Sequence, residues 1–238
     1  MPTGGGVRAR HRAAVEADIV EIGRRHLARD GAAALSLRAI ARDLGVVSSA
    51  LYRYVANRDD LLTLLIVASY TSLADEVERA HDAVDADDLA GRWRAIAGAM
   101  RHWALARPHE YALLYGSPVP DYAAPAERTT EPGTRVLALV LHLLDDAVRS
   151  GRLATTRADL STTAGARASA ERMLTDPFFA GSSIDAQALL AAMAAWSMVM
   201  GTLSAEVFEQ LGPQTVADPQ SWFDHMVGVA GRLVLADD

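Results

Sequence analysis

Between Ser36 and Val55 the chain carries two short apolar-patterned stretches separated by a single glycine, Gly45. In the first, Leu37, Ile40, Ala41 and Leu44 recur at the three-to-four spacing that lines one side of a helix; in the second, Leu51 and Val55 do the same. Ala41 is small enough to let two helices approach. Gly45 gives the backbone the freedom a tight turn demands, and Val46 is expected to fill the space between the helices. Ser36 is placed as the N-cap of the first helix. The spacing predicts a helix-turn-helix whose second helix turns Ser48, Ser49, Ala50, Tyr52, Arg53 and Tyr54 outward, the face and end that such motifs insert into a major groove.

The rest of the chain continues in the same period. Ala, Leu and Arg dominate, strand-type alternation is scarce, and an all-α protein is expected. Residues 1–11 are Gly-rich and basic and read as a flexible arm, with Arg8, Arg10 and Arg12 read as part of a disordered tail ahead of the alternative that they track a minor groove. A first helix is predicted from about Arg12 to Asp30, with Val15, Ile19, Ile22, His26 and Leu27 on one face and Gly31 as its stop. Asn57 followed by Asp60 makes a cap for a long fourth helix. Further helices are expected at about 88–106, 108–115, 134–150, 166–174, 185–210 and 219–235, with 116–133 as a loop. This gives a three-helix DNA-binding domain over 12–58 and a larger helical domain over 59–238.

Charge divides along the chain. The net charge is −7, but residues 1–60 hold ten Arg against seven acidic residues and the remainder thirteen Arg against twenty-three. A locally basic head suits binding to phosphate, because the attraction is short-ranged in salt and an acidic body farther along the chain detracts little. All the cations are Arg and there is no Cys, which excludes a disulfide framework or a thiolate metal site. The start lacks an apolar signal core, no later apolar run reads as long enough to span a bilayer, and a cytoplasmic location is expected.

The runs Leu44-Gly45-Val46, Leu51-Tyr52-Arg53-Tyr54-Val55 and Asn57-Arg58-Asp59-Asp60-Leu61-Leu62 resemble the TetR family of transcriptional regulators, over roughly residues 12–65. The resemblance implies that Tyr52 and Arg58 contact phosphates while Ser48, Ser49, Arg53 and Tyr54 face base edges; Ser36, Arg38 and Ala50 complete the expected DNA-contacting set. It further implies a homodimer on double-stranded DNA with an inverted-repeat operator, released by a small-molecule effector. Two positions depart from the family pattern: Val47 stands where Ser is frequent and Ala50 where Thr is common, so Ala50 can offer a thymine methyl contact but no hydrogen bond.

In the larger domain Trp93, Met100, His102, Trp103, Tyr111, Tyr115, Met173, Phe178, Trp196 and Met200 are the candidate lining of a pocket for a partly apolar ligand, against the plainer reading of an ordinary core. The stretch 92–116 is also similar, more weakly, to a recurrent C-terminal domain of the family. On the last two helices Ala191, Ala195, Met198 and Gly201, with Trp222, Met226, Val229 and Leu233, form apolar faces wider than one neighbour needs, and a dimer through a four-helix bundle is expected. No catalytic constellation, metal site or cofactor motif emerges: His109-Glu110 lacks a second His, and Gly4-Gly5-Gly6 follows no strand. The remaining rival is a helical ligand-binding or adaptor protein that keeps the N-terminal fold without specific DNA binding.

Overall fold

The computed structural model describes residues 4–154, 162–212 and 214–236. Among the described residues ten α-helices follow one another: α1 Gly4–Asp30, α2 Leu37–Asp43, α3 Ser48–Leu51, α4 Arg58–Asp82, α5 Leu89–Ala106, α6 Pro108–Tyr115, α7 Ala126–Arg149, α8 Ala164–Met173, α9 Ala186–Val207 and α10 Pro219–Gly231. Short 3-10 turns occupy Ala32–Ala34 and Pro177–Phe179, and the one extended pairing among the described residues is an isolated antiparallel bridge, Leu153 to Leu235. The fold is all-α, as the periodicity requires.

Three features differ from the sequence reading. Helix α1 begins at Gly4, where a flexible arm was expected through residue 11; the Arg10 guanidinium donates to Gly6 O at 3.1 Å and Arg12 pairs with Glu16 one turn on at 2.8 Å. The first three residues and the Arg8 side chain lie outside the described part. Helix α7 starts at Ala126 and runs through Pro132, so much of the expected 116–133 loop is helical. The Thr129 and Thr134 hydroxyls, one on each side of the proline in sequence, each donate to the carbonyl four residues earlier, Pro125 O and Thr130 O. Helix α9 is long and apolar enough by length and composition to cross a bilayer, contrary to expectation. Its stretch before Glu206 holds no charge, because Ala and Met fill positions that a shorter core helix would give to polar residues.

The chain divides into two compact units. The first joins Met1–Ala74 to Arg107–Thr134; the second joins Asp75–Ala106 to Arg135–Asp238. The DNA-binding domain expected over 12–58 is thus part of a larger body that also takes in the start of α4, the whole of α6, the loop after it and the first turns of α7. The physical reason is core size, since three short helices bury too little apolar surface alone. Ile19, Ile40, Leu51, Val55, Leu61, Leu62 and Leu65 form the centre of this unit, and Leu113, Val119 and Tyr122 pack against the same cluster from outside the helix-turn-helix. Gly23 is where α1 crosses α4: a Cβ there would stand 2.9 Å from Leu65 Cδ2.

One buried charge knits this unit. Glu110 on α6 is 6% exposed; its Oε2 accepts from Arg24 Nε of α1 at 2.9 Å and from Ser69 Oγ of α4 at 2.7 Å. In the second unit α5 buries Trp93, Ile96, Met100 and Trp103, and the Trp93 indole donates to Val227 O of α10 at 2.9 Å. Buried Arg92 donates to His81 Nε2, Ala86 O and Asp146 Oδ2. Arg101 pairs with Glu206 at 2.6 Å and Arg135 with Glu78 and Asp75 at 2.6 and 2.7 Å.

Removing Glu110 leaves Arg24 and Ser69 without their shared acceptor. Glu110→Ala is expected to lower stability by about 2 kcal/mol, below the range for a fully buried pair because Arg24 keeps some water contact. The shift in urea midpoint at unchanged slope measures it.

Candidate nucleic-acid interface

Helix α2 ends in a Schellman turn: Val46 N–H donates to Ala41 O at 3.0 Å and Gly45 N–H to Arg42 O at 3.1 Å, with Gly45 at φ +73°. That left-handed residue is what glycine supplies. Leu37, Ile40 and Ala41 of α2 are buried, as are Leu51 of α3 and Val55 just beyond it, so the packing side of the motif is the one the spacing predicts. After Leu51 the bonds tighten: Arg53 N–H reaches Ala50 O and Tyr54 N–H reaches Leu51 O, so the regular part of α3 is one turn long and the rest is a tighter coil to Val55. The expected helix over 48–55 is therefore shorter than read.

His26 of α1, 3% exposed, meets Asp43 at the end of α2, Nε2 to Oδ2 at 2.7 Å. The hydrogen bond from His26 holds the Asp43 carboxyl below its ordinary range. At the other end of the motif Asn57 Oδ1 accepts from Asp60 N–H at 2.9 Å while Asp60 Oδ2 accepts from Ala56 N–H at 3.0 Å, a reciprocal cap that fixes where α4 starts relative to α3.

The outward face carries Ser36, Arg38, Ser49, Tyr52 and Arg53, all exposed, with Ser48 and Ala50 partly so. Ser36 occupies the N-cap position of α2, but its side chain makes no capping hydrogen bond. Two expected contacts are engaged elsewhere. Arg58 donates to Ala32 O at 3.1 Å and Ala33 O at 3.4 Å, pinning the 3-10 turn between α1 and α2. Tyr54 packs half-buried against the unit's core, with the Arg12 guanidinium 5.5 Å over its ring. Val46, expected to plug the helix pair, is 39% exposed, and Val47, the N-cap of α3, is 70% exposed with no capping side chain. Val46 was missed as a surface group. Two adjacent β-branched residues directly after a turn glycine were the available signal.

The proposed pocket set is not gathered in one place. Trp93, Met100 and Trp103 are core residues at 3%, 1% and 0% exposure. His102 points into solvent, 80% exposed and 3.8 Å from Glu76. Met173 and Phe178 are exposed, and Trp196 and Met200 half-buried. Tyr111 and Tyr115 belong to the first unit, where their rings stack at 5.1 Å and Tyr115 meets Tyr70 edge-on at 6.2 Å. A 3.6-residue apolar stripe marks a buried face without distinguishing core from cavity wall. Of the expected dimer residues, Ala195 is fully buried inside its own unit; Ala191, Met198, Met226, Val229 and Leu233 are half-buried, and Gly201 and Trp222 are exposed.

Residues 19–65 match the family of bacterial regulatory proteins, tetR family, and residues 93–230 match the tetracyclin repressor-like C-terminal domain. The chain is 44% identical to the HTH-type transcriptional regulator Rv1816 of Mycobacterium tuberculosis over 219 residues, 92% of each chain. Among solved structures, the regulatory protein SCO4313 superposes with a TM-score of 0.73 at 32% identity, over 93% of this chain and 97% of that one. The regulator FadR of Bacillus subtilis, solved with stearoyl-CoA, shares the fold at a TM-score of 0.61 and 12% identity, over 90% of this chain and 96% of its own.

Two changes test the motif's local chemistry. Val47→Ser supplies the missing cap of α3 and is expected to raise stability by about 1 kcal/mol. Asp43, with its pKa lowered in the fold, stabilises above its unfolded pKa, and the gain is lost as pH falls through the folded value. Thermal denaturation should therefore show Asp43→Asn less stable than wild type near pH 6, with the gap closing as pH drops below the ordinary carboxylate range.

Proposed function

The chain belongs to the TetR family of regulators, and from that premise we propose that it is a dimeric repressor released from an inverted-repeat operator by a small-molecule effector. As a DNA-binding transcriptional regulator it has its family match over residues 19–65, the stretch that contains the helix-turn-helix. The observation that carries the DNA reading is the outward face of that motif. Arg38, Ser49, Tyr52 and Arg53 are exposed together, on a segment whose other side is fully committed to the core.

Each side chain has a distinct role in this reading. Arg53 and Ser49 reach base edges, Arg38 and Tyr52 the phosphates, and Val47 with Ala50 offers methyl contacts to thymine. Arg58 acts as a positioning residue through the carbonyls it holds. Two protomers place their recognition helices in successive major grooves, one helical turn apart. The dimer forms through the exposed parts of α9 and α10, where Trp222 at 45% joins Met198, Met226, Val229 and Leu233. The effector is a partly apolar small molecule, and linkage requires that DNA weaken its binding by the factor it weakens DNA binding.

Genomic fragments selected on the purified protein should converge on a palindrome. Arg53→Ala should relax preference at one base position per half-site and cost about 1–3 kcal/mol, whereas Arg38→Ala should weaken all sequences alike and flatten the salt dependence. Random fragments in place of a palindrome would refute specific binding. Sedimentation of wild type as a dimer and of Trp222→Glu as a weaker one tests the assembly; a monomeric wild type at micromolar concentration refutes it.

A further inference from the structure

The first unit contains a cavity of about 320 Å³ between α4, α6, the loop that follows α6 and the first turns of α7. Ile66 and Tyr70 of α4, Leu113 and Leu114 of α6, and Val119 and Tyr122 of the loop form most of its wall. None of its described lining residues carries a charge. The polar groups are hydroxyls, those of Tyr70, Ser117, Tyr122 and Thr129. The volume sits at the small end of the range for small-molecule sites, and the mixture of aromatic and aliphatic walls with a few hydroxyls is their usual chemistry.

Resting on the regulator reading above, we propose that this cavity is the effector site, and that it takes a compact neutral molecule with a planar apolar body and one or two hydroxyl or carbonyl groups. A carboxylate or ammonium would meet no counter-charge among the side chains of the wall, whereas a neutral body meets aromatic and aliphatic surface. A planar body fits beside the Tyr70 and Tyr122 rings. Burial pushes the Tyr70 phenol above its ordinary pKa, so its hydroxyl stays protonated and able to donate.

The cavity shares its wall with the helix-turn-helix core. Val119 and Tyr122 line the one and pack against the other. Tyr122 Oη lies 2.9 Å from Thr63 Oγ1 on α4, and Arg128 on α7 pairs with Asp60, the residue that accepts Ala56 N–H beyond α3. A ligand that displaces Tyr122 therefore acts on the segment from Val55 to Thr63 through direct contacts inside one compact unit.

The full-length protein is titrated with the neutral fluorophores prodan and 2-naphthol and, in parallel, with anionic 2-naphthalenesulfonate. The neutral pair should bind saturably and the sulfonate about tenfold or more weakly. Ala124→Trp, at an exposed rim position, fills the cavity and should reduce naphthol affinity about tenfold or more with circular dichroism and Tm unchanged. Tyr70→Phe removes one oxygen and should also weaken it. Equal binding of the sulfonate, or naphthol binding untouched by both variants, overturns the site. Operator affinity is read separately with and without prodan: wild type should lose affinity when loaded, and Tyr122→Phe should lose less at the same prodan occupancy. Loaded wild type holding its operator as tightly as unloaded overturns the effector role while leaving the cavity as a binding site. A protein that selects no operator at all refutes the regulator reading and not the titration.

Discussion

A carboxylate taken out of water must find partners, and Glu110 is the charge around which the first unit is arranged. Its Oε2 is shared by Arg24 of α1 and Ser69 of α4, so a single oxygen fixes the relative register of α1, α4 and α6. The neighbouring geometry follows. Gly23, one residue before Arg24, lets α1 cross α4 closely at Leu65. With those helices set, α1 presents His26 to the end of α2, and α4 presents its capped start to the end of α3. The recognition segment is thus held from both ends by polar contacts and from beneath by Leu51 and Val55.

Arginine serves two purposes in this chain, and burial separates them. In the second unit Arg92, Arg101 and Arg135 are drawn into ion pairs that tie helices together, and the acidic partners make that unit's net charge an internal matter as much as a surface one. In the first, Arg38 and Arg53 stand on the face opposite the core. The partition of charge along the sequence hints at this, but it does not say which guanidinium is engaged. Arg58, basic and at a familiar position, is turned back onto Ala32 and Ala33.

Local signals were legible and distant ones were not. The turn at Gly45, the cap at Asn57 and the buried side of α2 depend on residues a few positions apart, and periodicity with turn chemistry recovers them. The start of α7 was missed because Pro132 reads as a helix breaker, while the helix runs through it from Ala126 to Arg149. Val119 and Tyr122 were missed because their partners lie some sixty residues earlier in the chain, as the Thr63 contact shows. The pocket set rests on a different kind of signal. An apolar stripe records that a face is hidden from water, and the same stripe serves a filled core around Trp103 or an open cavity beside Tyr70.

The first unit is discontinuous, built from residues up to Ala74 and again from Arg107 to Thr134. On the ribosome its three N-terminal helices emerge first, yet Glu110, Leu113 and Tyr122 are still to be translated, and with them the charge partner of Arg24 and the cover of the core. The nascent helix-turn-helix must therefore wait with apolar surface uncovered until α6 and the loop beyond it have been made. A chaperone that holds short amphipathic segments would have its clearest window on this protein in that interval. A ribosome stalled within α5 would carry a head unable to settle into its finished form.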